Sequence, residues 1–532
     1  MMSIGIVETK YGKVQGSCGK GEKYAQVTLF NSIPYAAPPV GELRFKPPVK
    51  PVAWEGVRDC SGYGGRPWQN IEGMIEPYES DFFFNKDVPA MSEDCLYLSV
   101  ATAAQSAEEK RPVYMWFHGG GLVQGWYYEP EFDPSEFARK GIVVVSVGQR
   151  LGAFGCLSLK QLSDEQGGAS GNYTLMDEVA AFEWVRENIA AFGGDPDNIT
   201  VGGQSGGTWK AGALSTVPAV AATCAIKRVI HQSALYWARG GEIPTMEEAE
   251  AAGAEYLKSI GVDVQISVEE LRKLPVETFF KAPLFGRMVC DGKYIMYPDQ
   301  VKNVEEYAAD LDYLAGCNYG ECRMEPGIFG GNTPNMDAKW VYARAKEMLG
   351  ELYEEYGFEN LVHVTDENAE TVSRGLAALG MSEGFFSGVN FVRAFGAYQA
   401  KHHPKSRVWS YLFSHIVPSR PEEAGTDRDM ARHLVWHSGE LWYTFASLRE
   451  NVPPARAWHE LDYKLADQVT DYWANFIKCG DPNGEGLETW PASGEKHGWM
   501  DLGDKCVGHE DVEEGVDAMV WEYTKRHAGI PE

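Results

Sequence analysis

The stretch Gly203-Gln204-Ser205-Gly206-Gly207 carries the residue types of an activated serine nucleophile. The β-branched residues before it predict a strand and residues 208–214 predict a helix, so Ser205 is expected at the tight turn between them. Gly203 and Gly207 lack the Cβ atoms that would clash with neighbouring backbone at such a turn. The free N–H groups at the start of the helix would stabilise negative charge on the reacting group. The stretch therefore predicts nucleophilic acyl transfer on Ser205.

A second glycine-rich stretch, His118-Gly119-Gly120-Gly121, follows an apolar run at residues 112–117 that predicts a buried strand. Glycines let the backbone itself approach a developing charge, and a loop in this position supplies N–H donors to a tetrahedral intermediate. We expect the oxyanion hole to consist of the N–H groups of Gly120, Gly121 and Gly206.

Strands and helices alternate around these two loops, as a parallel sheet with crossover helices requires. Residues 142–147 predict another buried strand, and residues 175–192 predict an amphipathic helix that ends at Gly193-Gly194. Residues 195–198 predict a turn before the strand that carries the nucleophile. The region 240–400 is largely helical in pattern, at residues 246–260, 268–281 and 341–356. Because no linker interrupts the chain, we expect one α/β domain over residues 1–532 with helical insertions.

Composition excludes several classes of function. The formal net charge of −28 disfavours binding to nucleic acids and to anionic membranes. No apolar run is long enough to cross a bilayer, the amino end lacks a signal-peptide pattern, and the ten cysteines show no disulfide framework. These features predict a cytoplasmic enzyme whose partner is a small molecule, and they leave its oligomeric state open.

Several motifs occur in order before the nucleophile. Besides the His-Gly-Gly-Gly stretch they are Ser92-Glu93-Asp94-Cys95-Leu96-Tyr97-Leu98, Arg150-Leu151-Gly152 and Phe192-Gly193-Gly194-Asp195-Pro196. With these motifs the chain resembles the type-B carboxylesterase (cholinesterase-like) branch of the α/β-hydrolases from about Val7 to Trp490. The resemblance implies a mostly parallel central sheet flanked by helices, with helical insertions forming a cap over an active-site gorge.

The resemblance also implies a glutamate as the third member of the catalytic triad. The family pattern matches residues 314–321, which makes Glu321 the expected acid, and Glu325 is the alternative. The family pattern His-x-x-Glu-Leu matches residues 437–441 and makes His437 the expected base. His433 forms an i, i+4 pair with His437, but no further ligand cluster accompanies the pair. We therefore expect no metal and no cofactor.

Two positions depart from the family pattern, and one pair of residues matches it. Gln204 stands where most relatives have a glutamate, so a preference for cationic alcohols is not expected. Trp68 stands where relatives have the cysteine partner of Cys95, so Cys95 is predicted to be a free thiol. Glu93 and Arg150 match positions that the resemblance pairs as a buried structural ion pair.

The substrate pocket is expected to be largely aromatic. Its candidate residues are Leu122, Trp126, Gln204, Trp209, Trp237, Phe385 and Phe386. These side chains indicate small to medium esters with an apolar or aryl group. One alternative is the same chemistry applied to a lactone, a carbamate or an acetylated natural product. Another is an esterase-like binding protein without catalytic activity.

Overall fold

The computed structural model describes residues 4–71, 88–237, 242–283, 286–321, 336–382, 388–426, 428–449 and 456–527. The chain forms two compact units. The first comprises Met1–Val229 and Gly240–Ala308, and the second comprises Ile230–Arg239 and Ala309–Glu532. Within the described ranges, no helix combines the length and the apolar character needed to span a bilayer.

The strands are, in chain order, β1 (Ile6–Thr9), β2 (Gly12–Gln15), β3 (Ser17–Cys18), β4 (Thr28–Pro34), β5 (Val57–Asp59), β6 (Tyr97–Thr102), β7 (Arg111–Phe117), β8 (Val143–Val147), β9 (Gly194–Gln204), β10 (Ile226–Gln232), β11 (Asp312–Asn318), β12 (Val408–Phe413), β13 (Trp499–Leu502) and β14 (Cys506–His509).

The helices are, in the same order, α1 (Ser135–Arg139), α2 (Gly152–Cys156), α3 (Lys160–Glu165), α4 (Tyr173–Asn188), α5 (Gly206–Thr216), α6 (Pro218–Ala221), α7 (Met246–Ser259), α8 (Val268–Lys273), α9 (Gln300–Tyr307), α10 (Ala338–Leu349), α11 (Glu351–Glu355), α12 (Phe358–Leu361), α13 (Ala369–Leu379), α14 (Gly388–His402), α15 (Met430–His433), α16 (Leu441–Thr444), α17 (Glu460–Cys479) and α18 (Val516–His527).

In the first unit the strands of the main sheet follow the order β10-β9-β7-β8-β6-β4-β3. Strand β7 is parallel to both β8 and β9, whereas β6 runs antiparallel to β8 and to β4. A separate three-stranded sheet has the order β1-β2-β5. Residues 113–117 of β7 and all of β8 are buried and almost entirely apolar, as expected for central strands covered on both faces.

In the second unit the strand order is β14-β13-β12-β11-β10, so the chain passes from one unit to the other within β10. Strand β12 is parallel to both β11 and β13, and β14 pairs with β13 in an antiparallel hairpin at this edge. Residues 408–413, whose apolar and aromatic side chains predict a strand, form β12.

The helix predicted at residues 246–260 is confirmed as α7. The segment predicted at 268–281 consists of α8 and a 3-10 helix over Val276–Phe280, and the segment predicted at 341–356 is divided at Gly350 into α10 and α11. Each group packs within its own unit. Helix α7 and the segment from α8 to Phe280 cover a cluster that includes Phe45, Phe154 and Tyr173 in the first unit. Helices α10 to α13 pack against the carboxyl-terminal helix α18 in the second unit. These segments bury their apolar faces against neighbours in the same unit, which explains why hydrophobic periodicity in the sequence predicts them.

The turn predicted at residues 195–198 lies inside strand β9, which begins at Gly194. The pairing of β9 with β7 skips from Gly194 to Ile199, and the N–H of Asp197 donates to Oδ1 of Asp195 at 3.0 Å, so these residues form an irregularity in the strand. The helix before it ends as predicted, with a 3-10 turn over Ile189–Phe192 and a left-handed Gly193 at φ 80°. A Cβ at Gly193 would lie 2.3 Å from the Cβ of Ala104, so glycine is required there for space as well as for conformation.

The expected ion pair between Glu93 and Arg150 is also wrong. Arg150 pairs instead with the fully buried Asp177 of α4, with Nη2 to Oδ1 at 2.7 Å and Nε to Oδ2 at 2.8 Å. Glu93 pairs with Arg44, with Nη2 to Oε2 at 2.5 Å. Arg150 and Arg44 thus pair with different carboxylates. In each pair the two residues are far apart in sequence and are brought together by the fold.

Candidate active site

Ser205 lies between the end of β9 and the start of α5, at φ 55° and ψ −122°. This conformation is strained for a residue with a side chain, and such strain is typical of a nucleophile held on a sharp strand-to-helix turn. A Cβ at Gly203 would lie 2.3 Å from the carbonyl carbon of Gly207, and a Cβ at Gly207 would lie 2.0 Å from the carbonyl oxygen of Phe117. The predicted strand, turn and helix, and the need for both glycines, are confirmed.

The glycine loop after β7 lies beside this turn. Gly120 and Gly121 adopt φ values of 79° and 63°, and the carbonyl of Gly120 accepts a bond from the N–H of Gln124 at 2.9 Å. A Cβ at Gly206 would lie 2.2 Å from the carbonyl oxygen of Gly121, so these two backbones are in contact. The three glycines expected to donate to an oxyanion therefore lie together in the first unit.

Gln204 is buried next to the same loop. A Cβ at Gly119 would lie 2.9 Å from Oε1 of Gln204 and 3.6 Å from the Cβ of Ser205. The residue before the nucleophile thus places a neutral amide, and not a carboxylate, against the glycine loop.

The sequence analysis missed a buried polar cluster behind this loop. Lys210, in α5, is fully buried and its Nζ donates to the carbonyl oxygen of His118 at 3.0 Å. His118, Gln149 and Glu178 are also fully buried. A lysine about one turn after the nucleophile is ordinarily expected to face solvent. In the sequence, only the nearby small residues Gly207 and Ala211 indicate close packing at this position.

In the second unit, Nδ1 of His437 lies 2.5 Å from Oε2 of Glu321. The other oxygen of Glu321 accepts the backbone N–H of Asn318 at 2.9 Å, which orients the carboxylate towards the imidazole. The loops that carry the two residues are tied by the N–H of Gly320, which donates to the carbonyl of Val435 at 2.9 Å. Glu321 is 2% exposed, so its bond to His437 is shielded from water.

The backbone around His437 is strained. Leu434 and Ser438 have φ values of 58° and 77°, which few residues other than glycine adopt. His433 is the last residue of α15 and His437 lies beyond that helix, so their spacing does not place them on one helical face.

A second buried carboxyl group, Glu440, also escaped the sequence analysis, although it belongs to the His-x-x-Glu-Leu motif. Its Oε2 accepts from Nδ2 of Asn318 at 2.5 Å, and its Oε1 accepts from Nε2 of Gln232 at 3.2 Å. Burial and the nearby charge of Glu321 raise the pKa of Glu440 to about 7. Asn318 therefore links Glu321 and Glu440 through its backbone and its side chain.

The expected pocket residues lie in different environments. Leu122 is buried and Trp209 is half-buried in the first unit. Trp126 is buried beneath the guanidinium of Arg66, at 5.1 Å from the ring centre. Trp237 is buried in the second unit, with its ring centre 4.9 Å from that of Phe395. Phe385 and Phe386, and the alternative acid Glu325, lie outside the described residues.

Comparison with known proteins agrees with this geometry. The sequence model of the carboxylesterase family matches residues 3–519. The chain is 30% identical to the para-nitrobenzyl esterase of Bacillus subtilis over 519 residues, which cover 93% of this chain and 94% of that protein. It is 31% identical to the fumonisin B1 esterase of Sphingopyxis macrogoltabida over 504 residues, which cover 91% and 84% of the two chains.

A solved structure of a PNB esterase superposes on this chain with a TM-score of 0.72 and is 27% identical in sequence. The superposition covers 99% of this chain and 100% of that one. The match extends over both compact units. The chain therefore belongs to the carboxylesterase family, has the α/β-hydrolase fold, and is a carboxylic ester hydrolase.

Proposed function

We propose that Ser205, His437 and Glu321 form the catalytic triad of this hydrolase and that the two units act as one catalytic domain. The observation that carries the proposal is the strained backbone of Ser205 at the start of α5, next to a loop of three glycines. The short contact between Glu321 and His437 supports the assignment of acid and base.

In this mechanism His437 removes the proton of Ser205 while the serine oxygen attacks the ester carbonyl. The N–H groups of Gly120, Gly121 and Gly206 stabilise the oxyanion, and Glu321 stabilises the imidazolium. The alcohol leaves with the proton from His437, and an acyl group remains on the serine. Water, deprotonated by His437, then releases the acid and restores the enzyme.

We propose carboxylic esters of small to medium size with an apolar or aryl group as substrates, with Leu122 and Trp209 in the first unit lining the pocket. The amide of Gln204 leaves no carboxylate in the position beside the nucleophile, so the site does not select a cationic alcohol. Para-nitrobenzyl esters, for which the similar esterase of Bacillus subtilis is named, fit this description. A lactone, a carbamate or an acetylated natural product would use the same chemistry.

We also propose that the enzyme acts in the cytoplasm. The nine cysteines among the described residues are all free thiols, including the buried Cys60 and Cys95. Burial raises the pKa of the Cys95 thiol well above its ordinary value, so this thiol stays protonated and unreactive. The prediction that Cys95 is a free thiol agrees with this pattern, and free thiols persist in a reducing compartment.

The test is the hydrolysis of para-nitrophenyl esters with acyl chains of two to eight carbons by the wild type and the Ser205→Ala variant. We expect a burst of nitrophenol equal to one acyl group per active site, with a clear preference in chain length, and no burst in the variant. Ser215→Ala is the matched control, because Ser215 is a buried serine of the same helix. Its hydroxyl donates to the carbonyl of Gly212 at 2.7 Å and has no other hydrogen bond to a residue that the structure describes.

Fluorophosphonate labelling distinguishes the alternatives. Labelling of Ser205 without turnover of these esters would indicate a narrower substrate, such as a lactone or carbamate. A folded protein that neither turns over nor becomes labelled would be a binding protein, and hydrolysis retained by Ser205→Ala would overturn the assignment of the nucleophile.

A further inference from the structure

A buried cation lies behind the glycine loop, at the junction of three elements. Lys210 extends from α5 and its Nζ lies 3.0 Å from the carbonyl oxygen of His118, the residue that joins β7 to the loop. The same carbonyl oxygen lies within 2.9 Å of a Cβ built at Gly207, so the base of the loop is packed against α5. Lys210 thus bonds the loop to the helix whose first turn carries Ser205.

Gln149 completes this connection from the end of β8. With its amide oriented so that every contact joins a donor to an acceptor, its nitrogen donates to the carbonyl of Val147 at 2.7 Å. Its oxygen then accepts from Nζ of Lys210 at 2.8 Å and from Nε2 of His118 at 2.6 Å. The ammonium therefore holds both the main chain and, through Gln149, the side chain of His118.

Four titratable groups interact electrostatically with Lys210. They are the carboxyl groups of Glu178 in α4 and Glu129 after the glycine loop, the thiol of Cys156 in α2, and the imidazole of His118. Among the described residues, neither oxygen of Glu178 has a hydrogen-bond partner, so its interaction with Lys210 is electrostatic. Burial raises the pKa of Glu178 well above its ordinary value, and the charge of Lys210 opposes this rise. A buried cation next to a reaction that creates an anion contributes more than the same cation would in water.

We propose that Lys210 is a positioning residue of the hydrolase, whose ammonium fixes the carbonyl at the base of the glycine loop and so holds the N–H groups of Gly120 and Gly121 in place for the transition state. The inference rests on the proposed function of Ser205. A charge-assisted bond is about twice as strong as a neutral one, which suits it to hold a loop with few side chains of its own. Oxyanion donors act through their placement, and a displacement of about 1 Å can cost about 100-fold in rate.

The test is Lys210→Met, which keeps the length and volume of the side chain and removes the charge and the donors. We expect kcat to fall about 10- to 100-fold while KM changes less than about twofold, because the loop contributes mainly in the transition state. Thr216→Ala is the matched control, since Thr216 is a buried residue of the same helix. Within the described ranges its hydroxyl bonds only the carbonyl of Ala213. Its kcat should equal that of the wild type.

The pH profile separates positioning from a structural role. Burial lowers the pKa of Lys210 to about 8, partly offset by Glu178, Glu129 and Cys156. We expect the wild-type kcat to decline above about pH 8 as the ammonium loses its proton, and Lys210→Met to lack this decline. Glu178→Gln removes a charge that raises the pKa of Lys210, so the decline should begin at lower pH in that variant.

A folded Lys210→Met enzyme with kcat within twofold of the wild type and the same alkaline decline would overturn the proposal. If Lys210→Met does not fold, Glu178→Gln provides the test. A decline of its kcat at the same alkaline pH as in the wild type would also overturn the proposal. These results are distinct from a failure of the proposed function, because all ratios are taken for hydrolysis that Ser205→Ala abolishes.

Discussion

Asp177 and Arg150 form a fully buried ion pair in which both carboxylate oxygens meet the guanidinium. Oδ2 of Asp177 also accepts the backbone N–H of Arg150 at 3.1 Å. The arginine further donates to the carbonyl of Lys46, so the pair ties helix α4 to two other segments of the first unit. The side chains of Arg150 and Asp177 are 3% and 0% exposed, so each charge is compensated by the other and not by water.

Asp177→Asn should therefore destabilise the protein by about 3 to 5 kcal/mol, because it leaves the Arg150 charge buried without a counterion. Glu93→Gln is the comparison, since the side chain of Glu93 is 13% exposed and pairs with Arg44. We expect its cost to stay below about 3 kcal/mol. Urea unfolding of the two variants measures both, and a larger loss for Glu93→Gln would contradict the observed pairing.

Glu321→Gln should lower kcat about 1,000- to 10,000-fold, because an amide neither orients the neutral imidazole correctly nor stabilises its protonated form. Steady-state kinetics with a para-nitrophenyl ester measures the loss. Glu325→Gln is the control, and we expect it to keep the wild-type rate. The reverse result, with Glu325 essential and Glu321 dispensable, would reassign the acid.

Gly120→Ala should reduce kcat about 100-fold with little change in KM. The new Cβ would lie 2.3 Å from the carbonyl oxygen of Gln124, at a residue whose φ is 79°, so the loop must move and its N–H donors with it. Gly141→Ala is a matched control, because Gly141 also has a positive φ, of 90°, but open space around it. That variant should lose stability and keep its kcat; equal effects on kcat would argue against a role in the oxyanion hole.

Glu440→Gln should become more stable relative to the wild type as pH rises from about 4.5 to 7. Burial and the charge of Glu321 raise the pKa of Glu440 to about 7 in the folded protein, so folding favours the protonated form. The stabilisation from this proton is complete below the unfolded pKa near 4.5 and disappears as pH rises through 7. The difference amounts to about 3 kcal/mol at about 1.4 kcal/mol per tenfold change in the protonation equilibrium.

Thermal unfolding of wild type and Glu440→Gln at pH 4.5, 5.5 and 7 measures this difference. Glu422→Gln is the control, because Glu422 is an exposed residue of the second unit. A pH-independent gap between Glu440→Gln and the wild type would show that Glu440 does not change its proton in this range.

His415→Gln should destabilise the protein more at pH 6 than at pH 9. Nε2 of His415 lies 2.9 Å from Asp462 and Nδ1 lies 2.7 Å from Asp504. Burial alone would lower the pKa of His415, but the two aspartates raise it overall. Its contribution is therefore full below the unfolded pKa near 6.5 and is lost as pH rises through the folded value. Melting temperatures of both proteins across this range provide the measurement, and equal losses at both pH values would contradict the charged pair.

The sequence alone determined the parts of the protein that depend on local chain geometry. The strand, turn and helix around Ser205, the glycines at 203 and 207, and strand β12 follow from β-branching, periodicity and the space that glycine leaves free. The resemblance supplied Glu321 and His437, which the structure brings within hydrogen-bond distance of one another. The predictions of the strand, the turn, the helix and the two glycines succeeded because each depends on a local steric requirement.

Only the tertiary structure decided which charged residues lie inside. Nothing near Arg150 in sequence identifies Asp177 as its partner. Within α5 only the small residues Gly207 and Ala211 indicate close packing, and they do not show that Lys210 is buried. In the sequence Glu440 is a motif glutamate with no sign of burial. Only the structure shows that the side chains of Asn318 and Gln232 donate to its carboxyl group. Burial and pairing of charge depend on elements that are distant in sequence, since the cost of removing an ion from water is set by everything that surrounds it.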